Sequence, residues 1–357
     1  MFSRRLISSA AVVLSAVLLA GCAVNEQGDI ASDLAGTIDG SGSSAQGSAQ
    51  DVWVADFQRQ NAAVTVNYDP AGSGAGREAF ISGGADFAGS DSYLTEEEIA
   101  GPLGGCVPGT EAINLPLYVS PLAVAFNIDG VTELNLDAAT IAAIFRGDIL
   151  QWDDAAIAAL NPGAGLPAAP ITAVHRSDDS GTTKNFTDYL FQVAPQVWDK
   201  EPADTFPYPT GEAAQGNSGV ISAVRDGRNT IGYADASRTQ GLGVVALQVG
   251  DDFVLPTAEA AAAIAAISPR VEGRSEHDIA IAVDRTSQED GVYPLILVSY
   301  VIACQEYLDE NAGLLVRSYL SGAASESGQQ AAADAAGSAP LAPVLRDDVL
   351  AAIETIR

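Results

Sequence analysis

The sequence predicts a two-lobed α/β protein. Three observations predict it. A unit of strand, Gly/Ser turn and helix occurs three times, the grammar that places anion sites at the carboxyl ends of parallel strands. Two long apolar extended runs, 113–127 and 293–300, read as strands crossing between lobes. The chain of 357 residues, less any leader, is long enough for two lobes rather than one core.

The first unit runs from an extended segment at 34–38 into a polar turn at 39–46. A helical pattern follows, with Val52, Trp53, Ala55, Phe57 and Gln60 near a 3.6 period. The second alternates at 64–68, turns at 70–76 and continues as a short helix at 77–82. A further polar turn spans 85–92. Beyond it, Thr95 and Glu98 have capping-box spacing at a helix start. Pro116 and Pro121 interrupt the first apolar run. Central strands avoid such prolines, which favours a crossing strand. Helical patterns occur at 137–145, 153–160, 220–226, 258–266, 314–319 and 350–356, and the Ala-rich 331–336 also reads as helix. A short strand is expected at 231–234. The lobes divide as 34–119 plus 293–357 and 120–292.

The third unit organises the chemistry. A strand at 171–174 leads into His175-Arg176-Ser177-Asp178-Asp179-Ser180-Gly181-Thr182-Thr183, and a helix follows with apolar residues at 186, 190 and 191. Such a turn aims unpaired N–H groups and a helix dipole at one spot. Ser180, Thr182 and Thr183 add hydroxyls, and Arg176 adds a planar fork suited to an oxyanion. One such turn is weak evidence, since most are only caps. Three of them with Arg176 and an Asp-bearing turn are stronger.

The formal charge is −29, and Lys184 and Lys200 are the only lysines. That balance argues against nucleic acid and against an anionic membrane face, which both need basic patches. An anion ligand must therefore be held by local donors. At the N-terminus, Arg4-Arg5 precede a short apolar core ending in Leu18-Leu19-Ala20-Gly21-Cys22, a secretory leader over 1–21. Leu-Ala-Gly-Cys resembles a bacterial lipobox. The resemblance implies cleavage before Cys22, diacylglycerol on its sulfur and a tether over 22–33. If Cys22 is acylated, Cys106 and Cys304 remain, and an even pair in an exported chain predicts a disulfide.

The sequence offers little to an enzyme. No G-x-S-x-G elbow occurs, and the glycine turns lack the G-K-[ST] of a nucleotide loop. The two histidines, His175 and His277, show no metal-ligand spacing. His175, Asp178 and Ser180 lie within one turn, whereas catalytic triads assemble from separate loops.

The segment Ala142-Ala143-Ile144-Phe145-Arg146-Gly147-Asp148-Ile149-Leu150-Gln151-Trp152-Asp153-Asp154, running on to Leu160-Asn161-Pro162, resembles the phosphate-binding protein of bacterial Pst-type ABC importers. So do Arg176-Ser177-Asp178-Asp179-Ser180-Gly181-Thr182, Gly72-Ser73-Gly74-Ala75-Gly76, Asp86-Phe87-Ala88-Gly89-Ser90-Asp91, Gly216-Asn217-Ser218-Gly219 and Ile231-Gly232-Tyr233. The Lys-poor, Ala-rich style and the tail from Gln329-Gln330 to Ala339-Pro340-Leu341 are similar to actinobacterial members. The resemblance implies a type II periplasmic-binding-protein-like fold and no cofactor. It also implies inorganic phosphate as ligand, an ABC permease as partner, and a lipid anchor on the outer face of the cytoplasmic membrane. It assigns Ser44, the backbone N–H of Ala45, Ser73, Asp91, Arg176, Ser180, Gly181 and Thr182 to the phosphate, with Asp178 orienting Arg176. Ala45 departs from the aromatic residue many members carry, and Asp179 from a frequent Gly. Asp91 would accept the proton of phosphate and repel bare sulfate. Rival expectations are another oxyanion on the same fold, or a phosphohydrolase.

Overall fold

The computed structural model describes residues 33–357; the predicted leader 1–21, Cys22 and the rest of the tether up to residue 32 lie outside the described residues. In chain order the strands are β1 Gly36–Gly42, β2 Val64–Asp69, β3 Phe87–Ser90, β4 Ala112–Asn127, β5 Leu134–Leu136, β6 Thr172–Arg176, β7 Glu212–Ala214, β8 Thr230–Asp235, β9 Gly243–Val249, β10 Asp252–Val254 and β11 Ile296–Cys304. The helices are α1 Gly47–Gln60, α2 Ser73–Ser82, α3 Glu96–Ala100, α4 Ala138–Arg146, α5 Ala155–Leu160, α6 Gly181–Val193, α7 Gly216–Asp226, α8 Ala258–Ile267, α9 Glu310–Ala324, α10 Glu326–Ala336 and α11 Pro343–Glu354.

The main sheet runs β2-β1-β3-β11-β4-β8-β6-β7. Its two ends are built alike. β1 pairs in parallel with β2 and β3 at one end, and β6 in parallel with β7 and β8 at the other. β4 joins them: Ala112 to Pro121 pairs with β11, and Leu122 to Asn127 pairs with β8. The expected crossing strand is thus present, and it is also central, with every residue from Ala112 to Phe126 buried. Its prolines are tolerated for local reasons. Near Pro116 the register with β11 shifts, leaving Leu117 as a bulge, and Pro121 marks the change of partner. The second predicted extended run starts three residues later than expected, as β11, and pairs with β3 and with Ala112–Pro121 of β4; Ser299 is the one polar side chain between Ile296 and Tyr300.

Local sequence explains most helix ends. Asp137 caps α4 through a 2.6 Å bond from the Thr140 N–H, and Gly147 closes it in the left-handed region. Thr95 and Glu98 form the predicted capping box of α3. The predicted helices are found, several of them longer than their apolar periods indicated. α9 begins at Glu310, α11 at Pro343, and α2 at Ser73 rather than 77. Two expectations are corrected: 85–92 is not all turn, because Phe87–Ser90 forms β3, buried throughout, and the turn expected at 39–46 starts only after Gly42, where β1 ends.

The core is largely continuous. Phe145, Phe186, Trp198, Phe206 and Tyr233 form an aromatic cluster behind β6 and α6, with Phe186 stacked on Tyr233 at 4.2 Å. His175 belongs to this cluster, stacked on Phe206 at 4.1 Å with Nδ1 at the Arg176 carbonyl. It is a packing residue. Cys106 and Cys304 form the predicted disulfide, with Cα atoms 5.3 Å apart. Among the described residues no helix is long and apolar enough to cross a membrane.

Candidate anion-binding site

The carboxyl ends of β1, β2, β3 and β6 converge on one point. Gly72 N–H donates to the Gly42 carbonyl at 2.8 Å, and Ser43 N–H to the Gly89 carbonyl at 2.7 Å, which stitches the first, second and β3 turns together. Gly42 has φ +143°, and a Cβ there would stand 1.9 Å from the Gly89 oxygen, so only glycine permits the approach. Gly74 N–H then donates to the Asp179 carbonyl at 3.1 Å, joining the second turn to the third.

Asp91 stands at the centre, 3% exposed. Its Oδ1 accepts from the hydroxyls of Ser43 at 2.5 Å and Ser299 at 2.6 Å; its Oδ2 accepts from Thr182 at 2.9 Å. A carboxylate offers about four lone-pair directions, so three are occupied and one on Oδ2 remains. Ser299 is held in turn by Gln46 Nε2 at 2.7 Å.

Around Asp91 are hydroxyls whose acceptor side is already used. Ser73 Oγ accepts from the Asp91 N–H at 3.1 Å. Ser44 Oγ accepts from Asn217 N–H at 3.1 Å and Asn217 Nδ2 at 3.0 Å. Ser180 Oγ accepts from the Thr183 N–H at 3.1 Å, capping α6. Among the described residues none of these three donates its own proton, so each keeps a donor to offer. The first-turn N–H groups of Gly181 and Thr182 cannot be bonded within α6. Ala45 N–H is turned onto Ser43 Oγ at 3.1 Å. A Cβ on Gly181 would lie 2.7 Å from Ser73 Oγ and 2.8 Å from Asp91 Cβ, so the third turn reaches the first half of the sheet only as glycine.

Arg176 is buried and forks onto Asp178: Nε reaches Oδ1 at 2.8 Å, Nη2 bonds Oδ2, and Nη1 reaches Thr182 Oγ1 at 3.3 Å. Burial pushes the Asp178 carboxyl up, but the hydrogen bonds and charge of Arg176 and the Gly216 N–H at 3.0 Å outweigh it and hold the carboxyl below its usual range. The pair is locally neutral, with one edge of the guanidinium left towards Thr182.

This geometry is a cage of oriented donors around one acceptor. A family model described as a PBP superfamily domain matches residues 28–321. The chain is also 34% identical over 330 residues to Phosphate-binding protein PstS 3 of Mycobacterium leprae, with 87% of this chain and 88% of that protein covered. The chain belongs to the PstS phosphate-binding protein family. Within the family it is also 32% identical over 275 residues to Phosphate-binding protein PstS of Pasteurella multocida, covering 74% and 75% of the two chains. A solved high-affinity periplasmic phosphate-binding protein bound with phosphate shares the fold, with TM-score 0.72 at 23% identity over 88% of this chain and 93% of that one.

In this PstS-family chain the fold brings together all the residues the sequence singled out for the anion: Ser44, Ala45, Ser73, Asp91, Arg176, Ser180, Gly181 and Thr182, with Asp178 beside Arg176. Sequence reasoning missed Ser43, Ser299, Gln46 and Asn217. Ser299 carried a signal, a small polar residue inside an apolar strand. Asn217 lay in a motif already noted, Gly216-Asn217-Ser218-Gly219, whose role was left blank.

Proposed function

We propose that this chain binds inorganic phosphate between two lobes, 34–119 plus 293–357 and 120–292, and delivers it unchanged to the permease of an ABC importer. The observation that carries the reading is Asp91, a buried carboxylate with three hydroxyl donors on it and one acceptor direction left. Phosphate near neutral pH retains a proton and fills that direction, whereas sulfate brings only lone pairs. A wrongly paired group in a desolvated site costs several kcal/mol, so rejection by roughly 10⁴ is within reach.

Ser44 and Ser73 donate from one lobe, where the Ala45 N–H expected to join them is engaged by Ser43 Oγ; Arg176, Ser180, Gly181 and Thr182 donate from the other, with Asp178 orienting the guanidinium. The anion joins both sets only when the lobes are closed, so binding favours closure. The relatives named as phosphate-binding proteins support the ligand. The lipobox at Cys22 supports an extracytoplasmic protein held by lipid on the outer face of the cytoplasmic membrane.

A thermal-shift panel of oxyanions on phosphate-stripped protein tests the reading. Phosphate should raise the melting temperature while sulfate, molybdate and tungstate leave it unchanged. A shift with one of those ions instead reassigns the ligand, and no shift with any ion rejects the site. Turnover of a phosphomonoester would make the protein an enzyme.

A further inference from the structure

Arg285 is fully buried far from the third turn in sequence, yet it is tied to it. Its Nη1 donates to the carbonyls of Pro294 and Ile296, each at 2.9 Å, at the entry to β11. Its Nε donates to Asp188 on α6 at 3.1 Å, and its Nη2 to Asn185 Oδ1. That last contact decides which way the Asn185 amide faces. A guanidinium can only donate, so the amide oxygen must point at Arg285 and the amide nitrogen away from it. Nδ2 then donates to two main-chain carbonyls, Asp91 at 2.6 Å and Gly181 at 2.9 Å. Asp91 follows β3 in one half of the sheet, and Gly181 opens α6 on the other.

We propose that Asn185 is a positioning residue for anion capture: it clamps the main chain of Asp91 to the third turn, and Arg285, anchored on β11, holds its amide in the donating orientation. The Asp91 carboxylate and the Gly181–Thr182 donors must meet one anion together, and Asn185 is the group bonded to the backbone of both. The inference rests on the phosphate reading for its ligand but not for its geometry. The clamp also faces a cavity of about 390 Å³ lined by Tyr93, Lys184, Asp188, Arg285 and Tyr300, so water can compete for it whenever it opens.

The test is Asn185→Asp, which keeps an oxygen for Arg285 but sets a carboxylate oxygen against two carbonyls. Stopped-flow phosphate binding should show dissociation faster by about tenfold or more, the value of one lost hydrogen bond, with association changed by less than about threefold. Small-angle scattering of the ligand-free variant should show a larger radius of gyration than the parent. Dissociation at the parental rate overturns the proposal. A parent that binds no phosphate rejects the function reading separately; the scattering comparison then decides, and equal radii overturn the clamp. If Asn185→Asp fails to fold, Asn185→Ser carries the same two measurements.

Discussion

The Thr182 hydroxyl donates to Asp91 Oδ2 at 2.9 Å, joining residues 91 positions apart on opposite halves of the sheet. The acid at the centre of the site is therefore saturated by hydroxyls except in one direction. Asp91→Asn replaces one acceptor oxygen with an N–H donor. It should abolish the preference for phosphate over sulfate. Competition calorimetry checks this, and a variant that still ignores sulfate counts against the acceptor mechanism.

Arg176→Ala removes the cation and leaves the half-buried Asp178 without its partner. Phosphate affinity should fall by roughly 2–5 kcal/mol, from a parental value of about 1 μM or tighter. Titration calorimetry showing unchanged affinity would rule Arg176 out of the site.

Gly181→Ala places a methyl against Ser73 Oγ and Asp91 Cβ. Overpacking of this kind costs roughly 1–3 kcal/mol, and here the two halves must separate to relieve it. Phosphate affinity should drop by about tenfold or more while the ligand-free fold persists, as read by calorimetry beside near-ultraviolet circular dichroism.

Two acids, half-buried Asp178 and buried Asp235, should act on acid stability with opposite signs. Asp178 is held below its usual range, so its contribution is present above about pH 4 and is lost as pH falls through the lowered value. Asp235 is pushed up, chiefly by burial and against the bonds from Ser237 and Tyr118, so its charged form costs stability that returns as pH falls through the raised value. Asp178→Asn should flatten the fall of melting temperature below about pH 4, and Asp235→Asn should remove the gain that appears above about pH 4 as pH falls through the raised value. Identical acid limbs for both variants and the parent would contradict the assignment.

The Cys106–Cys304 bridge closes a loop with a sequence separation of 198. In the chain-entropy model that is worth about 5 kcal/mol. Replacing both cysteines with serine should lower the denaturant midpoint to match the reduced parent. Equal midpoints for oxidised and reduced protein would show that the bridge contributes nothing.

The sequence revealed the third unit because its strand, turn and helix each have a clear period, and its donors are crowded into one turn. β3 was hidden. Four residues buried on both faces show no alternation, so Phe87–Ser90 read as part of a polar turn. The Ser43–Ser44 pair shows another limit. Adjacent residues in a turn face different ways, and pattern alone did not tell that Ser43 meets Asp91 while Ser44 faces Asn217. Ser299 and Arg285 act through contacts 208 and 100 residues away, which depend on how the sheet assembles and not on local spacing.

The strand order has a consequence for how the chain is made. β11 lies between β3 and β4, yet it is the last of the described strands in chain order. A nascent chain that ends before residue 296 can pair β4 with β8, β8 with β6 and β6 with β7, but β3 and the start of β4 have no neighbour to bridge them. Completion of the sheet that joins the two halves therefore waits for β11, which follows every other described strand in the chain.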